Sequence, residues 1–143
     1  MLQACAELGT TLVAFSPVGR TFLTDTPMDY GRAQTSDFLK GNPRFLEPNM
    51  TANLAITDKF RAYASDHNLP TASLAIAWLL AQGDQVLPIP GTRSVAHLKE
   101  LVKGCEIELT AHMSQEILGL LPIGWAHGDR YSTAQWIGPE RYC

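Results

Sequence analysis

The chain has 143 residues, 45% of them hydrophobic and 17% charged, a balance that suits a packed core and excludes a disordered chain. Its formal charge of -3, with no polybasic run, leaves no electrostatic footprint for nucleic acid. No stretch approaches the ~18 apolar residues of a membrane helix, and no basic segment precedes an apolar one at the start, so neither a membrane span nor a signal peptide is expected.

Residues 1–8 place Leu2, Cys5 and Leu8 at helical spacing, and Gly9 stops the run. This predicts two turns of helix with no cap before them. Residues 11–15, Thr-Leu-Val-Ala-Phe, are β-branched and apolar, as a buried parallel strand requires. Residues 24–50 hold three prolines, two glycines and many small polar residues. They read as a long loop with one helical turn near residues 36–39. From Thr51 the helical period returns, with Leu54, Ile56, Phe60 and Tyr63 on one stripe, and residues 68–70 end it. Thr71 reads as the cap of a second helix, dense in Leu74, Ile76, Trp78 and Leu80, which Gln82-Gly83 closes.

Residues 85–89 form a short apolar strand. Pro88 reads as its end or as an irregular turn, because a proline inside a sheet lacks a ladder donor. Helices follow over residues 94–103, capped by Ser94, and 111–121, capped by Thr110. Residues 122–143 read as an irregular tail. Strands separated by helices argue for parallel βα units. Two strands cannot cover their own faces and edges, so the chain is expected to be a piece of something larger. Cys5, Cys105 and Cys143 are an odd set without a CxxC or zinc spacing. They read as free thiols of a reducing cytoplasm, with no metal site.

Two segments that follow strands can carry chemistry. The first is Phe15-Ser16-Pro17-Val18-Gly19-Arg20 and the second is Ile89-Pro90-Gly91-Thr92-Arg93-Ser94. In parallel α/β folds, ligands bind beyond the C-terminal ends of strands. Each segment offers a hydroxyl, a glycine and an arginine. Glycine lets backbone amides approach an anion, and the helix opening at Ser94 favours phosphate at its N-terminus. Arg93 beside it has the fork geometry for a phosphate. Each segment alone is also an ordinary turn former.

In order, LGTTLVAFSPVGRTFLT and LPTASLAIAWLLAQGDQVLPIPGTRSVAHLKELV closely resemble the C-terminal part of the aldo-keto reductases. The nearest likeness is to the branch with the phrases AYSPLGRGFLTG and AWLLAQGDDVVPIPGT, over roughly residues 1 to 121. The tail GDRYS also resembles that branch's GERY ending. The resemblance implies an α/β fold, the C-terminal part of a (β/α)8 TIM barrel. Residues 11–15 and 86–89 are then parallel strands 7 and 8, with flanking helices and a C-terminal tail. All 143 residues form one partial domain of this kind, since a full barrel needs about 250 residues.

By the same resemblance the cofactor is NADP(H). Ser16, Pro17, Val18, Gly19 and Arg20 would line its pyrophosphate and the neighbouring ribose. Gly91, Arg93, His97 and Glu100 would hold the adenosine end, with Arg93 at the 2′-phosphate. Two positions depart from the pattern: Leu101 stands where the family has Asn, and Thr21 where the branch has a second glycine. The Asp, Tyr, Lys and His tetrad of such reductases would precede residue 1. Tyr30, Tyr63, Tyr131 and Tyr142 match none of it, and Tyr63 reads as a core residue. His67, His112 and His127 read as surface or capping residues, so no catalytic residue is expected here. Trp125 and Trp136 either close over a substrate or cover core.

The expected function is NADP(H)-dependent reduction of aldehydes or ketones by the complete barrel, with this chain inactive alone. A non-catalytic nucleotide-binding or interaction module, or a truncated gene product, is the alternative. The expected partners are a small carbonyl substrate and, through exposed edges, a second copy of the chain.

Overall fold

The computed structural model describes residues 1–136, so Tyr142 and Cys143 lie outside the described residues. Helix α1 (Leu2–Leu8) has no side-chain cap, and Gly9 ends it in the left-handed region at φ 62°. Strand β1 (Leu12–Phe15) follows directly. The expected long loop is more ordered than its composition suggests. It contains α2 (Tyr30–Thr35), capped by the Asp29 carboxylate accepting from the Arg32 amide, and a single helical turn over Pro43–Phe45. The predicted turn near residues 36–39 is present, closed by the Leu39 and Lys40 amides donating to the Ser36 carbonyl, and the unexpected helix lies just before it, where Asp29 supplies a cap. Phe22, Ala33, Leu39, Phe45 and Met50 bury one another in a core cluster of this segment.

Helix α3 (Asn49–Asp66) starts two residues before Thr51. Its buried stripe is Met50, Asn53, Thr57, Phe60 and Ala64, not the stripe of Leu54, Ile56 and Tyr63 expected from the sequence. Two polar residues on that stripe hide its period. Helix α4 (Thr71–Leu80) is buried from Thr71 through Ala77. Thr71 is not its cap, because Pro70 holds that position. Thr71 instead donates its amide and its hydroxyl to the Asp25 carboxylate, which caps the helix from the segment between β1 and α2.

Strand β2 (Val86–Ile89) pairs with β1 in parallel, with Leu12 opposite Val86 and Phe15 opposite Ile89. Pro88 lies inside this strand rather than at its end. The Leu12 amide donates to the Gln85 carbonyl, and donors alternate along a strand. The Pro88 nitrogen therefore faces away from β1, where no ladder bond is missing. Helices α5 (Val95–Lys103) and α6 (Ala111–Leu120) carry the expected caps. The Ser94 hydroxyl accepts from the His97 amide and the Thr110 hydroxyl from the Met113 amide.

Among the described residues the architecture is two parallel strands and six α-helices. Val86 is buried on the sheet face that carries α4, while Val13, Phe15, Leu87 and Ile89 are exposed on the other face. An apolar cavity of about 430 Å³ runs beside β1, walled by Phe60, Trp78, Ile117 and Trp125 among others. No helix of the described residues is long and apolar enough to cross a membrane.

Candidate functional site

The loop after β1 is a succession of left-handed residues. Ser16, Gly19, Arg20 and Thr21 have φ of 52°, 59°, 54° and 89°. A β-branched residue at such a φ is strained. Thr21 is held there by its own polar atoms: its hydroxyl accepts from the Met28 amide at 2.9 Å, and its carbonyl from the Thr24 hydroxyl at 2.8 Å. The Val18 carbonyl accepts from the amides of Thr21 and Leu23 and so closes the turn. Pro17 is buried, and Val18 packs on the cluster of Ala72, Ile76 and Leu101. Leu101, the departure from the expected Asn, is thus used for packing α5 against α4 and this loop.

Eight of the nine residues read from the sequence divide between neighbouring depressions. Val18, Gly91, His97 and Glu100 share one cavity of about 230 Å³ between the loop and the start of α5. Thr21, Thr24, Asp25, Thr26 and Arg32 give it further polar walls. No atom lies within 4 Å of where a Gly91 Cβ would stand, so that glycine faces open space. The Ser73 hydroxyl donates to the Glu100 carbonyl at 2.6 Å and fixes the α5 end of the cavity on α4. Ser16, Gly19 and Arg20 line a second cavity of about 60 Å³ with Phe15, Arg44 and Arg130. Pro17 belongs to the wall of the apolar cavity beside β1. Arg93 lines none of the three and is exposed just before α5.

The sequence did not flag the residues that hold the tail over these cavities. Asn53 is fully buried, receives the His127 amide at 2.7 Å and donates to the His127 carbonyl at 3.0 Å. Asn42, equally buried, donates to the Arg130 carbonyl at 2.7 Å. Arg20 donates to the same carbonyl at 2.8 Å, and Arg44 Nε to the Gly128 carbonyl at 3.2 Å. Gln135 reaches the Phe38 carbonyl at 2.8 Å. Burial pushes the Arg44 guanidinium below its usual pKa; Arg130 and Arg20 push the same way and Asp129 opposes them. The one signal in the sequence was Asn53 among the apolar residues of α3, and it does not name a partner.

The aromatic residues take structural places. Trp125 packs on the Phe22 and Met50 cluster and covers core, while Trp136 stands edge-on to Tyr131. Tyr63 is partly buried and donates to the Glu116 carboxylate at 2.9 Å, joining α3 to α6. Burial, then Glu116, raises its pKa to about 12, the wrong direction for a proton donor near neutral pH.

Comparison with known proteins agrees with this arrangement of loops and strands. Residues 1–121 match the description "Aldo/keto reductase family". The chain is 36% identical over 131 residues to the aldo-keto reductase yakc [NADP(+)] of Schizosaccharomyces pombe. It is 35% identical over 131 residues to the probable aldo-keto reductase 1 of Glycine max. Each alignment covers 92% of this chain and 38% of the relative, so the chain spans less than half of either relative's length. Among solved structures, a thermostable aldo-keto reductase in complex with the inhibitor epalrestat aligns with TM-score 0.56 and 26% identity, over 83% of this chain and 32% of that one. The glycerol dehydrogenase of Gluconobacter oxydans aligns with TM-score 0.65 and 22% identity over 85% and 37%, a likeness of fold. The match over residues 1–121, in a chain whose strand-end loops carry the motif residues, means that this chain belongs to the aldo/keto reductase family.

Proposed function

We propose that the chain is the C-terminal part of a (β/α)8 barrel, with β1 and β2 as its seventh and eighth strands, and carries the NADP(H)-binding share of a carbonyl reductase. The observation that supports this most is the cavity of about 230 Å³ shared by Val18, Gly91, His97 and Glu100. Those four residues come from two segments more than 70 positions apart, yet they face one space with hydroxyl-bearing walls. Such a mixture suits a nucleotide, which needs apolar contact for its base and polar partners for its sugar. The fit is less direct for Arg93, which stands outside the cavity and would meet the 2′-phosphate only from its rim. Ser16, Gly19 and Arg20 would hold the pyrophosphate, where an arginine fork and closely approached backbone amides suit its oxygens.

The bound cofactor would supply a hydride to an aldehyde or ketone in the complete enzyme. This chain's residues would bind and orient it. Tyr63 is engaged by Glu116, Tyr30 is exposed on α2, and the Arg20 guanidinium lies over the Tyr131 ring, so each of these tyrosines has a structural place or none near the proposed cofactor. Turnover by the chain alone is therefore not expected. The fluorescence of Trp125 and Trp136 gives the test. We expect saturable quenching by NADPH, weakened about tenfold by Arg93→Ala through loss of one charge-assisted contact. Absence of any NADPH response overturns the cofactor reading, and NADPH oxidation with a panel of aldehydes by this chain overturns its expected inactivity. The free thiols of Cys5 and Cys105 support a cytoplasmic location as part of the same proposal.

A further inference from the structure

The tail over residues 127–136 crosses the end of β1 and narrows the space onto which the loop after β1 opens. Arg130 lines both the apolar cavity beside β1 and the small cavity of Ser16, Gly19 and Arg20. The Arg130 guanidinium lies 4.8 Å from the centre of the Phe15 ring, at the end of the strand. The small cavity measures about 60 Å³. At ~30 Å³ for each water of the liquid, it has room for about two waters. Two linked phosphate groups are larger than that. With the tail in this place, the loop is too confined for the diphosphate proposed to bind there.

The fastening of the tail is polar. Arg20 and Asn42 donate to the Arg130 carbonyl at 2.8 and 2.7 Å, and Arg44 Nε to the Gly128 carbonyl at 3.2 Å. Asn53 exchanges two hydrogen bonds with the His127 backbone. None of residues 127–136 is fully buried, and no main-chain to main-chain bond ties them to the rest of the described residues. A segment held by a few side-chain contacts, without a buried apolar anchor, opens at low cost. Arg20 is the fastener that also belongs to the loop. Its guanidinium lies 4.8 Å from the centre of the Tyr131 ring and 4.9 Å from that of Phe38, so it links the loop to the tail. Gly128 holds the tail by shape. Its φ is 81°, and a Cβ there would stand 2.7 Å from Asn49 Nδ2 and 2.8 Å from the Pro43 carbonyl. Glycine alone permits so close a passage over the turn Pro43–Phe45.

We propose that residues 127–136 are a strap that gates the loop after β1. The strap lifts to admit a dinucleotide diphosphate, and Arg20 exchanges the Arg130 carbonyl for phosphate oxygens. This inference rests on the cofactor reading under Proposed function. Strap release and cofactor binding are then linked, and each promotes the other. The fraction of molecules with the strap closed lowers the apparent affinity for the cofactor, and loosening the strap restores it.

The test uses the whole chain and two readouts: NADPH affinity from the cofactor's own fluorescence, and hydrogen exchange of the amides of residues 127–136. Saturating NADPH should speed exchange in that stretch. Gly128→Ala lies outside all three cavities. It should speed exchange without added cofactor and lower the Kd for NADPH about fivefold. Asn42→Ala removes one fastener and should act in the same direction, while Lys59→Gln, on the exposed side of α3, should change neither readout. A tail that merely supports the fold would weaken binding when loosened, the opposite sign. Circular dichroism of each variant separates a loosened strap from a lost fold. Unchanged or slower exchange with NADPH bound, or a Kd that is unchanged or raised in both variants, overturns the strap and leaves the cofactor reading standing. No NADPH binding by the parent or by either variant removes the cofactor reading and the strap with it.

Discussion

Asn53 shows what a single buried polar side chain does in this molecule. It stands on the inner face of α3 with three of its four hydrogen-bonding positions used, toward Arg44 and His127. The Thr57 hydroxyl, one turn on, donates to the Asn53 carbonyl at 3.0 Å, so the polar stripe is satisfied internally. Removing the amide leaves the His127 amide and carbonyl without their partner. We expect Asn53→Ala to lose about 2–3 kcal/mol in urea denaturation, and to speed proteolysis within residues 122–136 before the rest of the chain. Equal cleavage rates in both proteins would show that the tail is held by other means. Neither Asn53 nor Asn42 was legible as an anchor, because their partners are backbone atoms 74 and 88 positions away. The loops that hold Gly19, Arg20 and Gly91 were legible, because they follow short apolar strands and turn chemistry is local.

At the scale of elements, α4 and α5 meet through a glycine. A Cβ on Gly104 would lie 2.6 Å from the Ser73 carbonyl and 2.7 Å from the Ile76 Cβ. The close approach lets Ser73 reach the Glu100 carbonyl and lets Leu101 fill the space beside Ala72 and Ile76. Because the obstruction is backbone, relief requires the helices to separate. We expect Gly104→Ala to cost about 1–3 kcal/mol, read as a lowered Tm by circular dichroism, and to blunt NADPH binding by moving His97 and Glu100. A variant as stable as the parent would mean that α5 has slack at this crossing. The helices themselves were largely readable, since the caps at Ser94 and Thr110 and the stops at Gly9 and Asn68 are local devices. The segment around α2 was not, because its order comes from Phe22, Phe45 and Met50 closing on Ala33 from outside it.

At the scale of the whole molecule, one sheet face lacks a cover. Val13 is 50% exposed and Leu87 53%, side by side in register. Apolar surface of this kind drives association. We expect the chain to self-associate with rising concentration in sedimentation velocity, and the double variant Val13→Lys, Leu87→Lys to remain monomeric with unchanged helical content. A parent chain that is monomeric at every concentration removes this proposal. The sequence revealed the shortage of strands but not which faces stay bare, because that depends on where α3, α4 and α6 settle. The two margins of the sheet are also unequal. Beyond β2 the donor row is interrupted at Pro88, whereas β1 keeps its full row of outward amides, and no strand pairs with either margin among the described residues. An incoming strand therefore finds a complete template on one side only. Whatever extends this sheet, by assembly or by misassembly, should grow from β1 in one direction, so that a proline introduced at Val13 would halt growth that one placed beyond Ile89 would leave untouched.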